Sequence, residues 1–329
     1  NDRFDNHPGL NDWYETVKLN YGIDYCDPAG RSYHFNPVPN TWQKMTDILL
    51  FWAEKGIDGF RCDMAEMVPP AFLDYATKIV KGHFPGVVFI GEVYDKTQYN
   101  TYIQSGFDYL YDKVGMYDCV RGILCGNRSA ASITHQWQTT DKINSHMLYF
   151  LENHDEQRIA SDFFCGEGIK AIPGIVTMVL MFSNPFMVYA GQEYGERGMD
   201  REGFSGQDGR TTIFDYWTVS SIYKGYIDHS KLSDEEKSLA MAYQKILCLA
   251  NREKAISRGD FFDLMYVNPG CEYFDPSRQF AFLRKCDDDV ILVVANYSDH
   301  NVSIRVNIPQ HAFDFWHMPA THVFLATAS

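Results

Sequence analysis

The period of the hydrophobic positions changes along the chain. Residues 1–40 are rich in Asn, Asp, Gly, Pro and aromatics, with one extended-looking piece at 13–25, and predict irregular structure. From Thr41, read as an N-cap, Met45, Ile48, Leu49 and Trp52 recur at helical spacing until Gly56 stops the run. A strand follows at 57–63. Pro69 and Pro70 suit a first helical turn, and Phe72, Tyr75, Ile79 and Val80 supply the apolar stripe up to Gly82. The continuous run Val87-Val88-Phe89-Ile90 then reads as a parallel strand buried on both faces.

The same rhythm continues. Helices are predicted near 96–105, 115–124 and 169–182, and strands near 107–111, 147–152 and 185–189, the last ending at Ala190-Gly191-Gln192-Glu193. Strands alternating with helices imply a parallel sheet of the α/β class. Polar residues at the strand ends suit a (β/α)8, TIM-type barrel. A polar, Gly-rich and aromatic loop spans 199–231, and a helix at 235–252 places Leu239, Tyr243, Ile246 and Leu247 on one face. From about 260 the period shortens. Strands at 280–284, 290–296 and 302–308, separated by turns such as Asp287-Asp288-Asp289 and Ser298-Asp299, predict a small antiparallel β-sandwich domain. The expected organisation is an irregular connection over 1–40, barrel over 41–257 and an all-β domain over 258–329.

Composition narrows the partners. With 329 residues, 45% of them hydrophobic, the chain can bury a large core. A net charge of -14 argues against nucleic acid or anionic membranes, which need a basic surface. The longest apolar run, 172–182, contains Pro173 and Gly174 and is too short to span a bilayer. Eight scattered cysteines without CxxC spacing suggest neither zinc nor a disulfide framework, and read as thiols. His154 with flanking carboxylates is a poor zinc set. No metal site is named.

Three carboxylates carry the candidate chemistry, each where an apolar strand ends: Gly59-Phe60-Arg61-Cys62-Asp63, Phe89-Ile90-Gly91-Glu92 and Phe150-Leu151-Glu152-Asn153-His154-Asp155. Strand alternation puts Arg61 and Asp63 on one face, which suits an ionised nucleophile and equally a structural salt bridge. Glu92 closes an otherwise apolar strand, with Tyr94 just beyond it, and suits a general acid or a solvated strand end. Asn153, His154 and Asp155 together can grip hydroxyls and steady developing positive charge.

In this order and at this spacing the three segments resemble the conserved regions of the alpha-amylase family of retaining glycoside hydrolases, and 184–193 is similar to its last barrel strand. The resemblance implies that Asp63 is the nucleophile, Glu92 the acid and then the base, and Asp155 the transition-state stabiliser. It assigns Arg61 to orienting Asp63 and His154 to the sugar, while Asn153 reads from its own chemistry as a further substrate ligand and Tyr94 either lines the substrate pocket or simply begins the loop. The implied activity is retaining hydrolysis of α-1,4 bonds in an alpha-glucan partner, starch or maltooligosaccharide. Transglycosylation and non-catalytic glucan binding are the alternatives. Retention implies carboxyl groups about 5–5.5 Å apart.

Two departures matter. Glu66 and Met67 stand where many members carry Lys-His, which bears on acceptor-side specificity. The family's first region is matched literally by Asp2-Arg3-Phe4-Asp5-Asn6-His7, but no strand precedes it and too little chain follows to hold an excursion domain, so it reads as coincidence. Barrel strands 1 to 3 are then expected to be missing. That leaves an open sheet edge for a homo-oligomer or a missing N-terminal portion to cover. The family often binds calcium, for which Asp24 and Asp27 are the only candidates and read better as solvated loop residues.

Overall fold

The computed structural model describes residues 19–200, 207–211, 213, 218–270 and 272–318. The Asp2–His7 match, Trp13 and Cys271 fall outside them. The chain divides into two compact units, 1–111 and 112–329.

The first unit opens with a two-stranded antiparallel hairpin, β1 (Ile23–Asp24) and β2 (Ser32–Tyr33), pairing Ile23 with Tyr33. Helix α1 (Asn40–Glu54) begins behind Pro39, whose carbonyl accepts the Trp42 N–H at 3.0 Å. Thr41 therefore lies inside the first turn and caps nothing. The buried face also differs from the one predicted: Trp42, Thr46 and Ala53 are buried, while Ile48 and Trp52 are about half exposed. The Trp42 ring sets this rotation, packing 5.8 Å from Phe72 and 5.6 Å from Tyr75 of helix α2 (Pro70–His83). Gly56, at a φ of 85°, ends the turn as expected.

Strand β3 (Gly59–Cys62) runs parallel to β4 (Val88–Gly91), with Gly59 opposite Val88 and Cys62 opposite Gly91. Gly59 is required by this approach, since a Cβ there would lie 2.4 Å from the Val88 carbonyl oxygen. After helix α3 (Tyr99–Gln104), β5 (Tyr109–Tyr111) joins β4 in parallel.

In the second unit a five-residue π-helical turn (Lys113–Tyr117) leads into α4 (Asp118–Leu124) and then α5 (Ser132–Thr139). The fully buried strand β6 (Met147–Phe150) pairs in parallel with β7 (Phe186–Met187) across helix α6 (Ile172–Leu180). Two helices that precede the C-terminal sheet are α7 (Ser220–Tyr226), inside the predicted loop, and α8 (Asp234–Arg252). A capping box between Ser233 and Glu236 starts α8. A short α9 (Lys254–Ser257) follows. The strands β8 (Asp260–Asp263), β9 (Gln279–Cys286) and β10 (Asp289–Asn296) form one antiparallel sheet with β9 in the middle. The strand predicted at 302–308 is not a ladder. Its amides are taken singly, Arg305 N–H by the Tyr273 carbonyl at 3.0 Å and Asn307 N–H by Asn268 Oδ1 at 2.8 Å. A short helix, α10 (Gln310–Phe315), comes next, so the described part of this region is a sheet with a helix rather than a sandwich.

Arg284 of β9 is 1% exposed, and the charge of Asp260 acts on it. Its guanidinium donates to the carbonyls of Met181 (2.6 Å), Ala255 (3.0 Å), Ile256 (2.6 Å) and Gly259 (2.7 Å). Burial lowers its pKa to about 10. Among the described residues no helix is long and apolar enough to cross a membrane.

Candidate active site

Register places the first group. Because Cys62 faces Gly91, the next residues, Asp63 and Glu92, leave the first unit's sheet side by side. Glu92 N–H donates to the Cys62 carbonyl at 3.1 Å, continuing the ladder. Met64 then adopts a left-handed conformation, φ 44°, uncommon for a residue with a side chain. That turn aims its N–H at Glu92 Oε2, 2.8 Å away.

Glu92 is 3% exposed, and burying a carboxylate is costly unless its oxygens find donors. Besides the Met64 amide, Arg61 lies 3.1 Å from Oε2 and the Tyr94 hydroxyl donates to Oε1 at 2.7 Å. Arg61 also hydrogen-bonds Asp63, whose side chain is 64% exposed, and its guanidinium lies 5.2 Å from the Tyr111 ring centre. Burial works to lower the Arg61 pKa, but Glu92, Tyr111 and Asp63 outweigh it and hold the group above its ordinary value. Cys62, on the other face, has its thiol pushed up to about 11 by burial, which removes it as a nucleophile.

Glu66 was visible in the sequence only as a departure from the family pattern. Its Oε2 accepts the amides of Tyr94 and Asp95, both at 3.0 Å, and so fixes the backbone that carries Tyr94.

The second unit holds the other group. Asn153 is 2% exposed, and its Oδ1 accepts the amides of Asp155 and Glu156, both at 2.9 Å, an Asx turn that presents Asp155. His154 Nε2 lies 3.2 Å from Asp155 Oδ2. Glu156 anchors the turn from behind: it meets Lys113 at 3.2 Å and Arg121 at 3.6 Å, and accepts the Tyr117 hydroxyl at 2.9 Å. The π-helical turn carries Lys113 and Tyr117, such turns being frequent at functional sites. Glu152 and Arg158, each 1% exposed, pair at 2.7 Å, and Ile159 N–H donates to Glu152 at 2.6 Å. Burial pushes Glu152 up to about 7 while Arg158 pulls the other way.

The structure thus gathers Arg61, Asp63, Glu92 and Tyr94 at one pair of strand ends and Asn153, His154 and Asp155 in one turn of the other unit. Asn153 spends its carbonyl on the backbone. Glu66 and Glu156 carried no motif signal because each acts on neighbours distant in sequence, and Arg158, six residues from its partner Glu152, matched no motif.

The calcium candidates do not fit. Asp24 Oδ1 accepts the Cys26 amide and Asp27 Oδ1 the Ala29 amide, both at 2.8 Å, as turn residues do. Among the described residues no three His, Cys, Asp or Glu side chains are grouped to hold a metal.

Residues 36–247 match the family described as alpha amylase, catalytic domain. The chain belongs to the alpha-amylase family. Relatives in this family of glycoside hydrolases include neopullulanase 2 of Thermoactinomyces vulgaris, 21% identical over 84% of this chain and 43% of its own length. A cyclomaltodextrinase of a Bacillus species is 22% identical over 92% of this chain and 51% of its own length. The chain spans about half the length of these curated relatives. In fold it resembles the alpha-amylase of H. orenii, with a TM-score of 0.60 at 21% identity, covering 84% of this chain and 60% of that one. The Geobacillus thermoleovorans alpha-amylase gives 0.61 at 20% identity, covering 82% and 55%. The fold is accordingly of the alpha-amylase, (β/α)8 barrel-like type, and the described residues contribute parallel strands in both units and an antiparallel sheet after them.

Proposed function

We propose that the chain carries the cleaving groups of a retaining hydrolase of α-1,4-linked glucans or maltooligosaccharides. The supporting observation is the arrangement around Arg61, which contacts Asp63 and Glu92 at the ends of two register-matched parallel strands. Neighbouring strands lie about 4.8 Å apart, close to the carboxyl spacing of about 5–5.5 Å that retention needs.

In the first step Asp63 attacks the anomeric carbon while Glu92 gives its proton to the glycosidic oxygen. The carbon–oxygen bond breaks and a glycosyl ester forms on Asp63. Water then attacks that carbon as Glu92 takes its proton, freeing the Asp63 carboxylate. Arg61 keeps Asp63 oriented, and Tyr94 holds Glu92. Family resemblance assigns Asp155 to the positive charge developing on the sugar ring and His154 to its hydroxyls; Asn153 positions Asp155.

The test is turnover of α-maltosyl fluoride and maltoheptaose with the product anomer followed by proton NMR. The α-anomer is expected first, and Asp63→Asn and Glu92→Gln should each abolish cleavage of maltoheptaose. Initial release of the β-anomer, or wild-type turnover by either variant, overturns the reading.

A further inference from the structure

Two short segments of the first unit are stitched together around Glu92. The turn after β3 gives it two amides: Met64 N–H donates to Oε2 at 2.8 Å and Ala65 N–H to the Glu92 carbonyl at 3.0 Å. The chain after β4 returns two amides, Tyr94 N–H and Asp95 N–H, both to Glu66 Oε2 at 3.0 Å. The Tyr94 hydroxyl then closes the ring on Glu92 Oε1 at 2.7 Å. We infer that Glu66 is a positioning residue for Glu92, aiming that carboxyl through the backbone and hydroxyl of Tyr94.

The exchange is reciprocal, so neither segment can shift without breaking bonds that the other makes. Glu66 is the central residue of a one-turn 3₁₀ helix (Ala65–Met67), closed by the Met67 N–H on the Met64 carbonyl at 2.9 Å and by the Val68 N–H on the Ala65 carbonyl at 3.0 Å. Its carboxylate is therefore presented from a fixed backbone. The far side of the returning chain is fixed as well, because Asp95 Oδ1 accepts the amide and the hydroxyl of Thr97 at 2.9 and 2.7 Å. Tyr94 stands between these two anchors. The β4 ladder ends at Gly91, and the bend that Glu66 holds lets the Tyr94 hydroxyl turn back onto the residue two before it.

The residue type matters. One carboxylate oxygen can take both amides, whereas the lysine that many family members carry at this place has donors only and could take neither. This wiring thus goes with the departure at Glu66 noted in the sequence. The inference rests on the proposed reading of Glu92 as the group that protonates the leaving oxygen.

Two substrates separate the inference from that reading. A glycosidic oxygen needs a proton to leave and fluoride needs it far less, so kcat/KM on maltoheptaose senses the aim of Glu92 and kcat/KM on α-maltosyl fluoride senses the rest of the first step. Glu92→Gln should lose far more on maltoheptaose than on the fluoride, which tests the acid reading alone. Glu66→Ala is expected to lose about tenfold more on maltoheptaose than on the fluoride, part of an acid contribution of about 10²–10⁴. Glu66→Met, of similar volume and without an acceptor, serves where the alanine variant does not fold. Glu66→Gln keeps a neutral acceptor, about half as strong as a charged one, and should bring the ratio back to within about threefold of wild type. Tyr94→Phe should show the same selective loss, and combined with Glu66→Ala should lose no more than the larger single variant, since both act on one group. Equal losses on the two substrates, a wild-type ratio in Glu66→Ala, or losses that multiply in the double variant overturn the positioning role while the Glu92→Gln result stands. Equal losses in Glu92→Gln overturn the acid reading and the positioning role with it.

Discussion

Arg61 stands on β3, yet its guanidinium lies 3.1 Å from Oε2 of Glu92, just beyond the end of β4, while also hydrogen-bonding Asp63, so one fork serves both carboxylates. A lysine has one charged nitrogen and cannot reproduce that geometry. Arg61→Lys should therefore reduce kcat on maltoheptaose by about a hundredfold or more, the scale of an ångström's misplacement, with KM much less affected. Steady-state kinetics with a circular-dichroism control for folding measures this. A variant within twofold of wild type would mean that the fork does not position the pair.

Asn153 makes a second prediction. Removing its carbonyl by Asn153→Ala leaves two amides without their acceptor and releases the turn bearing Asp155. The cost should be about 1–3 kcal/mol of stability in urea unfolding, with a fall in kcat that exceeds any change in KM. Equal stability together with a pure KM effect would return Asn153 to the sugar-binding role expected from the sequence.

Glu152 gives a pH dependence whose sign follows from burial. Its folded pKa is pushed up to about 7 from an ordinary 4.5, so the folded chain binds the proton more tightly than the unfolded one. Its contribution to stability is fully present below about pH 4.5 and is lost as pH rises through about 7. The urea midpoint of wild type relative to Glu152→Gln should fall across that window. A difference that stays flat, or rises, contradicts it.

Association is the fourth. No residue of β3 is fully buried, β3 is at the outside of its β3–β4–β5 ladder among the described residues, and α1 exposes Ile48, Phe51 and Trp52. Open strand edges and apolar helix faces favour pairing. The 329-residue chain alone is expected to self-associate in small-angle scattering, and less so as Trp52→Glu. A monodisperse monomer counts against that expectation.

These outcomes bear on what the sequence made legible. The strand ends at Asp63 and Glu92 were readable because an apolar run followed by a carboxylate is a local pattern, and α8 was readable because its apolar face recurs at helical spacing. Thr41 and the α1 stripe were misread because Trp42, packing on Phe72 and Tyr75, chose the buried face. The alternation at 302–308 looked like a strand, but Asn268 and Tyr273 take its amides before a ladder can form. That Asn153 turns its carbonyl to the Asp155 and Glu156 amides was not legible, because a sequence shows which groups are polar, not where their lone pairs point.

Arg284 also changes how the C-terminal sheet should be handled. Its donors reach back across the boundary drawn at 257, to Met181 at the end of α6 and to Ala255 and Ile256 on α9, and forward to Gly259. Cutting the chain at 258 to obtain a minimal catalytic piece would withdraw the cation from the carbonyls of Met181, Ala255 and Ile256, the last of which would keep only the Ser183 hydroxyl as a side-chain donor among the described residues. The sheet is thus less an appendage than a keystone, and a shortened enzyme would have to be redesigned around the gap it leaves.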